Sequence, residues 1–213
     1  MPPHYIAVEG PIGVGKTTVV ERLAERLEAN LVLEDWGTNP FLRSFYEGAP
    51  GAAFQLELFF LLLRYRQQQE LVQRQLFAQA TLCDYAFEKS RLFAYLNLDD
   101  SELLIYEKLF SLLADGVPRP DLVVYLQAST PTLLDRIARR GRPYEKDMDA
   151  AYIALLNESY DYFFFHYDAT PLLVVDTNPL DFVSNAAHRD DLLERIEDHP
   201  GGTVYYRPLR EEA

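Results

Sequence analysis

Residues 10–17 read Gly10-Pro-Ile-Gly13-Val14-Gly15-Lys16-Thr17, the pattern G-x-x-x-x-G-K-T, and Thr18 follows. Glycines at this spacing let successive backbone N–H groups converge on an anion, and the N-terminus of the next helix adds its dipole. The chemistry is that of nucleotide phosphates: Lys16 reaches the β- and γ-phosphates, and the Thr17 hydroxyl ligates Mg²⁺. Two further groups fit phosphoryl transfer. A carboxylate, Glu34, stands at the end of a second apolar run, and four arginines crowd into Arg136-Ile-Ala-Arg139-Arg140-Gly-Arg142. Transfer to a hydroxyl needs a base beside the acceptor and mobile cations over the moving phosphate.

These residues need strands and helices to hold them. Strand-like runs fall at residues 5–9, 31–34, 80–83, 122–127 and 172–176, with helical patterns between nearly all of them. Alternation of this kind predicts right-handed crossovers and a five-stranded parallel sheet with helices on both faces. After the glycine loop, Val19, Val20, Leu23 and Leu27 recur at helical spacing against Glu21, Arg22, Glu25 and Arg26. A long helix over 54–75 contains Leu-Phe-Phe-Leu-Leu-Leu at 58–63, too apolar for a solvated surface, so it lies in the core or in a subunit interface. Helices are also expected over 102–114, over 132–140 with Pro131 opening it and Gly141 closing it, over 149–166 and over 181–198. Residues 1–199 form one domain on this reading. The tail, 200–213, is either a strand addition or only partly ordered.

Composition narrows the class. The net charge of −13 argues against a polynucleotide substrate, which requires basic surface to displace counterions, whereas a small nucleotide needs only a local basic cluster. The single cysteine, Cys83, excludes an intrachain disulfide, and neither an 18-residue apolar stretch nor a signal peptide is present, which together suggest a soluble cytoplasmic protein. The Asn-Lys-x-Asp segment of guanine-reading GTPases does not occur. The loop alone leaves the reaction open, because motors, GTPases and small-molecule kinases share it.

Residues 10–18, Leu33-Glu-Asp-Trp36, the stretch from Asn39 to Tyr46, the helix over 54–67, residues 84–94, 122–128, 136–144 and 176–182 stand in one order along nearly the whole chain. In these segments the chain resembles the deoxyribonucleoside kinases, specifically their bacterial deoxyguanosine/deoxyadenosine kinase branch. The resemblance implies a P-loop kinase fold with an arginine-rich lid. It also implies transfer of the ATP γ-phosphate to the 5′-hydroxyl of a purine deoxynucleoside in nucleotide salvage, with Mg²⁺, by a homodimer.

Carried over residue by residue, the resemblance makes Glu34 the catalytic base. Asp35 stands where the family usually has proline, so a second carboxylate is available. Tyr46 and Glu145 fall where the family binds the sugar 3′-hydroxyl. Asp84 falls where it holds the Mg²⁺ water shell together with Thr17. The family's arginine after that acid is missing, and Lys89 or Arg91 substitutes. Arg136, Arg140 and Arg142 match the lid, with Arg139 facing solvent, and Asp181-Phe182 matches the adenine-binding loop, a turn in which Asp181 also suits a helix N-cap. The base-reading side chain, commonly glutamine seven residues before an arginine, has two registers. Counting back from Arg64 gives Glu57, whereas Phe54-Gln55 matches by identity.

The register bears on the base. A carboxylate only accepts hydrogen bonds, and guanine offers two adjacent donors where adenine offers a donor beside an acceptor, so Glu57 favours deoxyguanosine over deoxyadenosine. Two other classes fit the residues less well. A nucleoside monophosphate kinase needs cations for the acceptor's own phosphate, which the acidic set Glu34, Asp35 and Glu57 does not supply. A regulatory nucleotide-binding protein would not need Lys16, Thr17 and Glu34 intact.

Overall fold

A computed structural model describes residues 3–74, 80–142, 145 and 148–208. Gln75 at the end of the expected long helix, Pro143 and Tyr144 in the arginine-rich stretch, and the last five residues of the tail lie outside the described residues. The chain divides into two compact units. The first draws on residues 1–33, 78–86 and 119–213, the second on 34–77 and 87–118.

The first unit is a parallel sheet flanked by helices. Its strands are β1 (Tyr5–Glu9), β2 (Asn30–Val32), β3 (Thr81–Cys83), β4 (Leu122–Gln127), β5 (Leu172–Asp176) and β6 (Thr203–Tyr206), in the order β2-β3-β1-β4-β5-β6 with every neighbour parallel. Its helices are α1 (Lys16–Leu27), α6 (Thr130–Arg140), α7 (Ala150–Phe165) and α8 (Ala186–Glu197). Alternate residues of a strand face opposite sides. On β4, Leu122, Val124 and Leu126 enter the main core with Val19, Leu23, Leu133, Ile137, Leu192 and Ile196, while Tyr125 stacks on Phe164 at 4.3 Å.

The sheet has six strands where five were expected. The extra one, β6, pairs with β5 from Leu172↔Thr203 to Val175↔Tyr206, so the sheet continues past the domain boundary expected at residue 199. An edge strand buries only one side, and β6 alternates exposed and half-buried residues, a four-residue pattern too short to separate a strand from a loose tail. A second correction concerns Asp181. The N-cap of α8 is Asn185, whose side chain accepts from Ala187 N; Asp181 instead accepts from Val183 N and Ser184 N in its own turn.

The second unit is helical: α2 (Leu42–Tyr46), α3 (Ala52–Arg74), α4 (Lys89–Asn97) and α5 (Asp100–Ala114). Leu61, Phe87, Ala94, Tyr106 and Phe110 form its core. The start of α5 lies two residues before the expected one because Asp99 and Glu102 make a reciprocal capping box. Neither α2 nor α4 was expected; both are short and lack a side-chain cap.

Candidate active site

In the first unit, β1 feeds directly into the glycine loop and the loop into α1. Gly10, Gly13 and Gly15 have φ of 151°, 88° and 105°, which L side chains rarely adopt. A Cβ on Gly10 would stand 2.5 Å from the Leu126 carbonyl, and one on Gly13 would stand 2.8 Å from that of Leu133. Gly15 is the N-cap of α1 and brings no side-chain acceptor, so the first-turn N–H groups at Lys16, Thr17 and Thr18 have no cap competing for them. Val14 is buried and packs the loop onto the main core. Lys16 Nζ curls over the loop to the carbonyls of Gly10 (2.5 Å) and Pro11 (3.2 Å).

Thr17 Oγ1 donates to Asp84 Oδ2 at 2.9 Å, bringing together the two residues expected at the metal. Asp84 is buried just past β3, its N–H bound to the Val32 carbonyl. Oxygens of this kind suit Mg²⁺ with its water shell. Among the described residues no group of three or more His, Cys, Asp or Glu could hold a metal ion by itself.

The arginine cluster divides by role. Arg136 binds the Val14 carbonyl (3.1 Å), the Thr177 hydroxyl (3.0 Å) and the Thr177 carbonyl (2.8 Å), which ties the loop to the segment after β5. Arg140 meets the buried Glu145 at 2.5 and 3.1 Å, and Arg142 lies 3.7 Å from the same carboxylate. Glu145, expected at the sugar, is thus the counter-ion of two expected lid cations. Arg139 is exposed and pairs with Asp135. Phe182 is buried in the main core beside the Asp181 turn.

The second unit carries residues that the sequence leads one to expect on the acceptor side. Glu34 follows β2 by two residues rather than ending the strand. Its Oε1 accepts from Arg64 Nε and its Oε2 from Lys89 Nζ, both at 2.7 Å. Arg64 also donates from Nη1 to Ser90 Oγ at 2.8 Å and lies over the Phe60 ring. Lys89, rather than Arg91, meets Glu34; Arg91 pairs with Glu107. Asp35 is exposed.

Burial pushes the Glu34 carboxyl up, but the charges of Arg64 and Lys89 outweigh it and hold the group down at about 2. Glu57 behaves in the opposite way. It is 1% exposed, its Oε1 accepts from Asn97 Nδ2 at 2.8 Å, and its Oε2 is buried with no hydrogen-bond partner. Desolvation dominates and pushes its carboxyl up to about 7 despite Arg64. Gln55 is exposed on the same helix, so of the two registers only the one through Glu57 and Arg64 faces this cluster. Tyr46 ends α2, half-buried, its ring edge-on to Phe45.

Sequence reasoning missed four residues here. Asn97 and Ser90 lie on α4, an unexpected helix, and no motif marks them. Gln68, fully buried, is four residues past Arg64 on α3, and the 57-61-64-68 spacing was available to find it. Glu9, fully buried at the end of β1, accepts from Gly10 N (3.1 Å), Ala86 N (2.6 Å) and the Tyr160 hydroxyl (3.3 Å). A lone acid closing an apolar strand was its signal.

The fold and the glycine loop define a P-loop α/β nucleotide-binding protein. The family described as deoxynucleoside kinase matches residues 6–199. The chain is 38% identical to a deoxyguanosine kinase of Bacillus subtilis over 92% of its length and 95% of that protein's. It is 30% identical to a deoxyadenosine kinase of Lactobacillus acidophilus, with the same coverage of both chains. The solved deoxyadenosine kinase from M. mycoides with the products dCMP and dCDP superposes with a TM-score of 0.76 at 21% identity, covering 90% of this chain and 97% of that one. The chain belongs to the deoxynucleoside kinase family, and so to the nucleotide-binding transferases that phosphorylate deoxynucleosides. Among the described residues no helix is long and apolar enough to cross a membrane.

Proposed function

We propose that the protein transfers the γ-phosphate of ATP to the 5′-hydroxyl of deoxyguanosine more readily than to that of deoxyadenosine, in cytoplasmic nucleotide salvage. The observation that carries this reading is the cluster of the buried Glu57, Arg64 and Lys89 with the half-buried Glu34. Burying three ionisable groups beside a half-buried fourth is costly and is typical of sites rather than cores. Its two cations already face two carboxyl groups, which leaves no surplus positive charge for an acceptor that carries its own phosphate. A neutral nucleoside therefore fits better than a nucleoside monophosphate. The deoxyguanosine kinase relative at 38% identity supports the choice of base.

In this reading Lys16 and the N–H groups from Gly13 to Thr18 hold the donor phosphates, Arg136 steadies the loop, and Arg140 and Arg142 turn from Glu145 to the transferring phosphoryl. Thr17 and Asp84 hold Mg²⁺, which neutralises charge on the phosphate oxygens. The Asp181-Phe182 turn borders the donor's adenine, and Tyr46 and Glu145 hold the 3′-hydroxyl. Glu34 takes a hydrogen bond from the 5′-hydroxyl. The 5′-oxygen bonds to the γ-phosphorus as the bond to ADP breaks, and the proton passes to Glu34. A carboxylate held at so low a pKa is a weak base. That suits a loose transition state, in which the proton leaves late and orientation of the hydroxyl matters more than basicity.

We also propose a homodimer. Ile105, Leu109 and Leu112 form an exposed stripe along α5, and Leu62 on α3 is 54% exposed. A coupled assay with ATP over the four deoxynucleosides and their monophosphates tests the activity. Deoxyguanosine should give the highest kcat/KM, and a monophosphate outrunning every nucleoside would overturn the reading.

A further inference from the structure

We infer that a single proton on Glu57 sets which purine the protein accepts, with the ionised carboxylate selecting guanine and the neutral acid selecting adenine. The inference rests on the reading that Glu57 meets the pairing edge of the base. Geometry gives the two oxygens different duties. Asn97 Nδ2 donates to Oε1, which makes Oε1 an acceptor in either protonation state, so the neutral acid carries its proton on Oε2, the buried oxygen that has no partner. When ionised, the carboxyl presents two acceptors, matching guanine N1–H and its 2-amino group. When neutral, it presents a donor and an acceptor, matching adenine N1 and its 6-amino group. One proton converts one pattern into the other without movement of a heavy atom.

The surroundings leave this proton finely balanced. Arg64 on α3 and Lys89 on α4 favour the anion, as does the Asn97 hydrogen bond, while burial and the charge of Glu34 oppose it. Tyr106 on α5 is the remaining titratable neighbour, and it stays a neutral phenol because burial pushes its pKa up. The sum leaves Glu57 titrating near 7, inside the range in which an enzyme works. Glu34 sits far below that range and keeps one charge across it.

The test is a competition between deoxyguanosine and deoxyadenosine in one reaction, from about pH 6 to about pH 8, above the protonation of adenine N1 and below the ionisation of guanine N1–H. The ratio of the two kcat/KM values cancels every pH effect on the shared phosphoryl transfer. It should rise with pH by up to roughly tenfold per unit, as exchange of one proton requires. Deoxyadenosine should gain as the solution is acidified. Glu57→Gln presents its carbonyl to Asn97 and its amide in the place of Oε2–H, so its ratio should lean to adenine and stay flat with pH. A wild-type ratio independent of pH, with both purines phosphorylated, would overturn the inference and leave the kinase reading standing. A pH-dependent ratio that survives in Glu57→Gln would also overturn it, since another group would then be the switch. Phosphorylation of neither purine would bring down the underlying reading as well.

Discussion

In the phosphate loop the groups aimed at charge are backbone N–H donors, fixed by three glycines with positive φ and by the packing of Val14. The cluster proposed to meet the acceptor is built from side chains on α3 and α4 and on the segment after β2, and its charges answer one another. Backbone donors carry no titratable proton, so the loop acts alike at any pH near neutrality. Side-chain clusters can hold a carboxyl in either state, and this one holds Glu34 ionised and Glu57 at the balance point. On the proposed assignment, donor binding would be insulated from the solution and acceptor choice exposed to it.

That comparison is broken first at Glu34. Glu34→Gln should lower kcat by on the order of 10²–10⁴-fold. Leaving Arg64 and Lys89 without their counter-charge should also destabilise the fold, by about 3–5 kcal/mol. Activity is therefore read on protein shown folded by circular dichroism. Asp35→Asn should stay close to wild type, because Asp35 is exposed. An equal loss at Asp35 would move the base to that residue.

Lys16→Ala should lower kcat by roughly 10²–10³-fold while leaving the melting temperature nearly unchanged, since the side chain carries an ammonium reaching the carbonyls of Gly10 and Pro11 and is not a packing group of the core. Retention of more than about a tenth of the wild-type rate would remove the loop from the chemistry.

Stability should separate the two carboxylates. A buried acid whose pKa is raised from 4.5 to about 7 in the fold contributes stability that is fully present below 4.5 and is lost as pH rises through 7. Urea titration of wild type against Glu57→Gln should show the variant gaining on the order of 3 kcal/mol relative to wild type between those limits. Glu34 has the opposite sign. Its pKa is lowered to about 2, so its contribution is present above 4.5 and disappears as pH falls through 2.

The smallest effect on chemistry is expected at the surface of the second unit. Leu112 is 77% exposed, and Leu112→Asp should yield a monomer by light scattering at micromolar concentration with the fold intact. A wild-type protein that is already monomeric would remove the dimer.

The loop was legible in the sequence because its function is local: eight consecutive residues specify it, and β1, β4 and β5 were bounded to the residue by their apolar runs. The proposed acceptor cluster was legible where a family pattern reached it, at Glu34 and Arg64, whereas Glu57 stood as one of two registers beside Gln55 and Lys89 as one of two substitutes beside Arg91. Asn97 could not be read, because its importance arises from α4 packing beside α3, forty residues away in sequence from Glu57. The six-strand sheet was missed for a related reason. β6 is a half-exposed edge strand whose place depends on β5, not on its own pattern. α8 is capped by Asn185 and not by the expected Asp181, because the Asp181 carboxylate is taken up by the N–H groups of Val183 and Ser184 in its own turn and the helix begins after it.

Calorimetric titration of Lys16→Ala and Glu57→Gln with ATP and with deoxyguanosine, at a pH near 8, tests the division between donor loop and acceptor cluster most directly. Lys16→Ala should lose ATP affinity and keep deoxyguanosine. Glu57→Gln should lose deoxyguanosine affinity by about one to two powers of ten, since its amide donor opposes guanine N1–H, and should bind ATP as wild type does. If both variants lose the same ligand, or if Lys16→Ala loses deoxyguanosine alone, the assignment of donor and acceptor to these two sets of residues is contradicted.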